Sequence, residues 1–154
     1  MLIVLTVVTA LGCGLIAGVF FAFSSFVMKA LARIPAAQGI AAMQSISIVV
    51  LNPAFLGVFL GTAAGCAGVA IWAVADWDRR SGLLITGSIL YLVGTVGVTR
   101  VFHIPLNDAL AKADPSSAAG ARIWSGYRKS WTIWNHVRTA AALAAAAAFV
   151  TAIL

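Results

Sequence analysis

Charge is what this sequence has least of. Only 9% of its 154 residues are charged and 62% are hydrophobic, with a mean hydropathy of +1.04. A soluble domain carries about 25% charged residues. Such a chain cannot cover a water-facing surface, so lipid is the expected solvent for most of it, and its length fits one domain. Acidic residues are scarcest: four, all Asp, against ten Lys and Arg, for a net charge of +6. The basic residues sit between apolar runs and form no face extensive enough to track phosphates along a strand, which excludes nucleic acid as a partner. Anionic lipid headgroups are the expected partners instead. Cysteine is limited to Cys13 and Cys66. Both lie in apolar runs and read as small buried hydrophobes; a disulfide between them is geometrically conceivable, and no zinc-type spacing exists. No Lys or Arg precedes the first apolar run, which is too long for a signal peptide and reads as a retained span. Alternating apolar and polar residues are absent, which excludes a membrane barrel. So are internal repeats and mid-membrane polar breaks, which argues against a transporter.

What is present is four apolar runs of about 20 residues or more, the length that crosses a bilayer core. They cover residues 2–28, 46–75, 83–102 and 134–154. The expected fold is all-α: an integral membrane four-helix bundle in a single domain. Asn52-Pro53 interrupts the second run near its start. Residues 30–45 predict a short interfacial helix. Asp114-Pro115 reads as an N-cap with Pro at the first helical position, opening an interfacial helix that runs on into the last span. Small residues at helical spacing, Ala10, Gly14, Gly18 and Ala22, then Gly57, Gly61 and Gly65, predict close helix packing.

Lys and Arg counting predicts orientation. Lys29, Arg33, Lys112, Arg122, Arg128 and Lys129 fall on the first and third connections. Arg79 and Arg80 on the second are offset by Asp76 and Asp78. Residues 29–45 and 103–130 are therefore expected in the cytoplasm, the termini outside, and the protein in the plasma (inner) membrane.

Seven polar residues stand out at or near span ends: Asn52, Arg100, His103, Asn107, Asn135, His136 and Arg138. Antiparallel spans bring all seven to one membrane face, where Ser24, Ser25 and Lys29 also arrive. The two His are the only ones in the chain. A neutral imidazole is the natural general base near pH 7. Amides, indole N–H groups and guanidinium are donors for a developing oxyanion. Each residue also has a plain reading: Trp131 and Trp134 as belt aromatics, Arg100 and Arg138 as snorkelling cations, Asn52 as a helix start. The spans hold no carboxylate and the chain shows no Ser–His–Asp or Cys–His pattern, which disfavours hydrolysis and zinc chemistry. Two His alone make a weak set for haem or copper, and no metal site or cofactor is predicted.

Four segments carry a resemblance: Gly18-Val19-Phe20-Phe21-Ala22-Phe23-Ser24, Leu51-Asn52-Pro53, Pro105-Leu106-Asn107, and Trp131-Thr132-x-Trp134-Asn135-His136-x-Arg138-Thr139. Together they resemble the anthrone oxygenase-like family of small four-span membrane proteins, across nearly the whole chain. The resemblance implies oxidation of anthrones to anthraquinones by dioxygen in polyketide pathways, as in the characterised members. It makes His136 or His103 the base. Asn52, Asn107, Asn135 and Arg138, with Arg100 in the same cluster, would orient a small apolar aromatic substrate and stabilise charge, and Trp131 would stack on its rings. A haem- or quinone-binding redox protein and a non-catalytic membrane scaffold or partner subunit are the other readings, and an oligomer is compatible with each.

Overall fold

The computed structural model describes residues 2–154, and no strand occurs among them. Five helices follow one another: α1, Leu2–Leu31; α2, Ala36–Val49; α3, Pro53–Ala75; α4, Ser81–Ala111; α5, Ala118–Ile153. All but α2 are long and apolar enough to cross a membrane. The chain is an integral membrane protein, a helical bundle in which α1 packs on α3, α3 on α4, α4 on α5, and α5 closes back on α1. Large apolar side chains such as Leu11, Phe21, Leu60, Ile71, Val93 and Leu143 stay exposed on the outside. In lipid that exposure carries no penalty, so helices apolar all round are stable here.

Contacts inside the bundle depend on small residues; Gly65 of the predicted stripes makes one, while Gly12 and Gly87 lie outside them. Gly14, Gly18, Gly57 and Gly61 have open space beside them. The close approach of α1 to α3 is made by Gly12 against Thr62 and by Gly65 against Thr9, a pairing that runs antiparallel. A repeated small residue marks a smooth face, and lipid accepts a smooth face as readily as a helix does. Gly87 gives the equivalent contact between α4 and α5: a Cβ there would lie 3.0 Å from the Phe149 ring and 3.2 Å from the Ala145 carbonyl.

Two apolar clusters form. The larger fills the spanning bundle with Cys13, Ile16, Phe59, Cys66, Tyr91 and Phe149. Both cysteines are free and buried. The smaller lies at one end and joins Met28, Ile40, Met43, Leu110, Trp124 and Tyr127. It exists because α2, the C-terminal part of α4 and the N-terminal part of α5 fold together as a cap. Gln44 of α2 fastens it, its Nε2 donating to the carbonyls of Leu110 at 2.9 Å and Ala113 at 3.0 Å. Removing that donor takes the side-chain partner from the Ala113 carbonyl just past α4 and leaves the Leu110 carbonyl with only the Ala113 amide at 3.1 Å. Gln44→Ala is expected to destabilise the protein by about 1–2 kcal/mol, read as a lowered thermal midpoint and faster proteolysis within residues 36–49.

Helix boundaries depart from expectation at three places. The interfacial helix extends to Val49, so the second span begins at Pro53 rather than residue 46. Asn52 forms the boundary: its Oδ1 accepts from the Phe55 amide at 2.9 Å and its Nδ2 donates to the Val49 carbonyl at 2.9 Å. The third span does not end at Phe102 but continues to Ala111, through Pro105. A proline inside a helix lacks its N–H and crowds the carbonyl four residues back. Here two π-helical stretches, Leu92–Gly97 and Thr99–His103, precede it and widen the turns that would otherwise clash. The last helix starts at Ala118, capped by Ser117, whose Oγ accepts from the Gly120 amide at 2.9 Å. Asp114 instead closes a turn, accepting from the Ser116 amide at 2.9 Å and hydroxyl at 2.7 Å. Those two bonds hold its carboxyl below the usual carboxylate range. From Ala118 the helix runs unbroken for 36 residues, about 54 Å at 1.5 Å per residue, so its first turns extend beyond the hydrocarbon core.

Candidate functional site

Between the two apolar clusters lies a polar layer built by α1, α4 and α5. α5 presents one buried stripe at helical spacing: Trp124, Tyr127, Trp131, Asn135, Arg138, Ala142, Ala145 and Phe149. Asn135 and Arg138 are polar members of an otherwise apolar seam. α4 answers with Thr95, Thr99 and His103, spaced four apart within its π-helical stretches. α1 contributes Phe20 and Ser24 at the start of its own π-helical turn, Phe23–Val27. The widened turn of α1 and the two of α4 each pack against α5, and such turns gather at functional sites.

Arg138 is the centre of the layer and only 5% exposed. Its Nη2 donates to Asn135 Oδ1 at 2.6 Å and its Nη1 to Thr99 Oγ1 at 3.0 Å. The guanidinium carbon sits 3.9 Å from the Phe20 ring centroid and 5.5 Å from the Trp131 ring, so π faces contribute to holding the cation. Its Nε makes no hydrogen bond. Asn135 is fully buried and orients the assembly. Its Nδ2 donates to the Phe20 carbonyl at 2.7 Å and to Ser24 Oγ at 2.6 Å, which turns its oxygen toward Arg138. Thr95 Oγ1 donates to the Arg138 carbonyl at 3.4 Å.

His103 lies against the edge of this group at 2% exposure. Its ring stands edge-on to Trp131, centroids 5.1 Å apart and planes at 81°. Neither of its ring nitrogens makes a hydrogen bond, and neither does the Trp131 indole nitrogen. Trp131 is also flanked by Phe23, at 5.7 Å between centroids. The Tyr127 hydroxyl donates to Asn107 Oδ1 at 2.8 Å, tying partly buried Asn107 to the edge of the layer. Phe102 stacks on Trp134 at 3.4 Å between centroids and holds α4 against α5 beside His103.

The structure therefore gathers His103, Trp131, Asn135 and Arg138, with Asn107 at the margin. It does not gather the other three. Arg100, His136 and Asn52 are exposed. Arg100 is one residue off the Thr99–His103 line, His136 is one residue off the Asn135–Arg138 stripe, and Asn52 is committed to capping α3. Phe20, Thr95, Thr99 and Tyr127 belong to the layer although composition and spacing did not single them out. The signal for the α4 pair was the run Thr95, Thr99, His103 and Asn107 at intervals of four.

Chemically, the layer sets a cation and an imidazole, each with unpaired nitrogens, beside an indole N–H and an aromatic face. The only ion pair among the described residues is Arg80 with Asp78, 3.3 Å apart in the α3–α4 turn. Arg138 is thus buried in a spanning helix with no carboxylate partner. Such a cation is costly and marks a functional position. Buried polar atoms that lack partners point the same way.

The family model described as anthrone oxygenase matches residues 52–148. The chain belongs to the anthrone oxygenase family. Every α4 and α5 residue of the polar layer lies inside the matched stretch, while Phe20 and Ser24 of α1 lie before it. Membership supports a membrane oxygenase-like function at the level of the family. No curated protein and no solved structure matches the chain.

Proposed function

We propose that this member of the anthrone oxygenase family is an oxidoreductase. It oxidises a flat, apolar, anthrone-like substrate of polyketide type to the quinone with dioxygen. His103 acts as base and Arg138 as the group that holds the resulting anion. One observation carries the proposal: a buried guanidinium without a carboxylate partner beside a buried imidazole whose two nitrogens are free. An anthrone is a carbon acid. Its reacting CH2 gives up a proton to His103, and the negative charge spreads onto the carbonyl oxygen across the ring. That oxygen is where Arg138 acts, already oriented by Asn135 and Thr99 before any charge develops. The anion is electron-rich enough to reduce dioxygen directly. Addition of dioxygen gives a peroxide at the same carbon; loss of the second hydrogen with water leaves a carbonyl. One oxygen atom ends in the product and one in water, so no further reductant is consumed. Trp131 supplies an aromatic face for the rings, and the site lies near the end of the bundle, which an apolar substrate would enter from the bilayer. The Lys and Arg bias would place that end on the cytoplasmic side.

Dioxygen uptake by detergent-purified protein over a panel of anthrones tests this. Uptake well above the spontaneous rate, from protein without a visible absorption band, is the expected result. A haem-like spectrum would transfer the reading to a redox carrier. Uptake at the spontaneous rate with every anthrone would overturn the substrate class.

A further inference from the structure

On the outside of the bundle, α1 and α5 flank an open groove of about 660 Å³ that the proposed chemistry does not use. It is lined from α1 by Ser25 and Lys29 and from α5 by Arg128, Lys129, Thr132 and His136. The spacing explains the lining. Ser25 and Lys29 are one turn apart on α1, and residues 125, 129, 132 and 136 follow one face of α5. No carboxylate lines the groove, and none of its three cations takes part in an ion pair, since the sole pair among the described residues is Arg80–Asp78.

Arg128 is the most constrained of the three. Its guanidinium lies 5.8 Å from the ring of Trp124, which is itself buried in the cap. Its Nε is buried and makes no hydrogen bond. A guanidinium held over an aromatic ring at the groove wall has a planar fork that suits phosphate. Lys29 and Lys129 are exposed and provide mobile positive charge around it. Both helix faces turn apolar toward the bundle centre. Phe21, one turn before Ser25, is 62% exposed, and Leu143, two turns after His136, is 60% exposed. The groove thus has a cationic end, and the helix faces that line it carry exposed apolar side chains farther along the bundle.

We propose that this groove binds an anionic phospholipid, its phosphate held by Arg128 with Lys29 and Lys129, and its acyl chain laid along the α1–α5 seam over Phe21 and Leu143. The occupant is a lipid and not a free phosphate because Phe21 and Leu143 share helical faces with the groove's polar lining and are exposed to the surrounding apolar phase. Such a lipid ties α1 to α5 at the level of Ser24, the residue shared by the groove lining and the Asn135 network. The binding stands independently of the oxygenase reading.

The test is the thermal unfolding midpoint of the purified full chain in neutral detergent, titrated with phosphatidylglycerol, phosphatidylcholine or inorganic phosphate. Phosphatidylglycerol is expected to raise the midpoint by about 3 °C at roughly tenfold excess over its dissociation constant, and the other two by less than half of that. In Arg128→Gln/Lys129→Gln the shift should fall at least threefold. In Arg33→Gln/Arg122→Gln, which removes the same charge elsewhere on this face, it should persist. Lys29→Gln/Lys129→Gln, both exposed positions, covers the case in which loss of Arg128 unfolds the cap, and should also reduce the shift. An undiminished shift in the groove variants, or an equal shift with phosphatidylcholine, overturns the site. An equal shift with inorganic phosphate overturns the lipid as its occupant.

Discussion

Replacing His103 by Ala is expected to slow anthrone-dependent dioxygen uptake by about a hundredfold to ten-thousandfold, the usual contribution of a positioned general base. His136→Ala is expected to stay within about threefold of wild type, well short of that range. The contrast follows from burial. His103 is held edge-on against Trp131 with both nitrogens free inside the polar layer, while His136 faces the outer groove. Because His103 makes no hydrogen bond in the structure, Ala leaves no partner unsatisfied; the cavity left by a fully buried ring lowers the midpoint, so activity is compared per folded molecule. A second readout separates proton removal from substrate placement. With deuterium at the reacting CH2, the isotope effect on uptake should be larger in His103→Ala, where proton transfer limits the rate. Full activity in His103→Ala with loss in His136→Ala would move the base to the groove. Full activity when both are replaced would remove a His base from the mechanism altogether.

Much of the fold was legible because lipid simplifies it. A run of about 20 apolar residues that must satisfy its own backbone has one solution, a helix. Four such runs, and the continuity of the last one with its interfacial start, followed from composition alone. The misplaced boundaries have local causes. Pro105 reads as a stop, and only the widened turns ahead of it let α4 pass. Asp114-Pro115 reads as a cap, yet Ser117 does the capping and Asp114 closes the turn before it. Thr95 and Thr99 carry no such signal, since hydroxyls inside apolar helices usually bond to their own backbone, as Thr6 does to the Leu2 carbonyl at 2.9 Å.

Helical phase decided which polar residues meet. Asn135, His136 and Arg138 read as one constellation in the sequence, but neighbours on a helix point about 100° apart. Extending the period forward from Trp124 and Tyr127 and back from Ala142, Ala145 and Phe149 puts Asn135 and Arg138 on the buried stripe and turns His136 off it. The same reasoning favours Thr99 and His103 over Arg100 on α4. Span ends collect polar residues of every kind, so arrival at one membrane face says little; arrival on the inward stripe at that face is the discriminating feature.

Arg138→Gln is expected to lower kcat with an anthrone by about a hundredfold to a thousandfold, the range for removing one donor aimed at a developing oxyanion, with a smaller change in KM. The size follows from the surroundings. Arg138 is shielded from water by Phe20 and Trp131, and Asn135 and Thr99 fix its fork before the reaction begins. Arg138→Lys keeps the charge but loses the planar fork that bonds Asn135 and Thr99 together, so partial activity is expected, between wild type and Gln. Neutralising this group also has a structural side that separates the two roles. A buried cation without a carboxylate partner burdens the fold, so Arg138→Gln, which keeps donors for its neighbours, should unfold at a midpoint no lower than wild type. A residue retained for stability would show the reverse, a fall in midpoint with activity per folded molecule intact. Lowered activity in a protein of undiminished stability is the outcome that assigns Arg138 to the reaction.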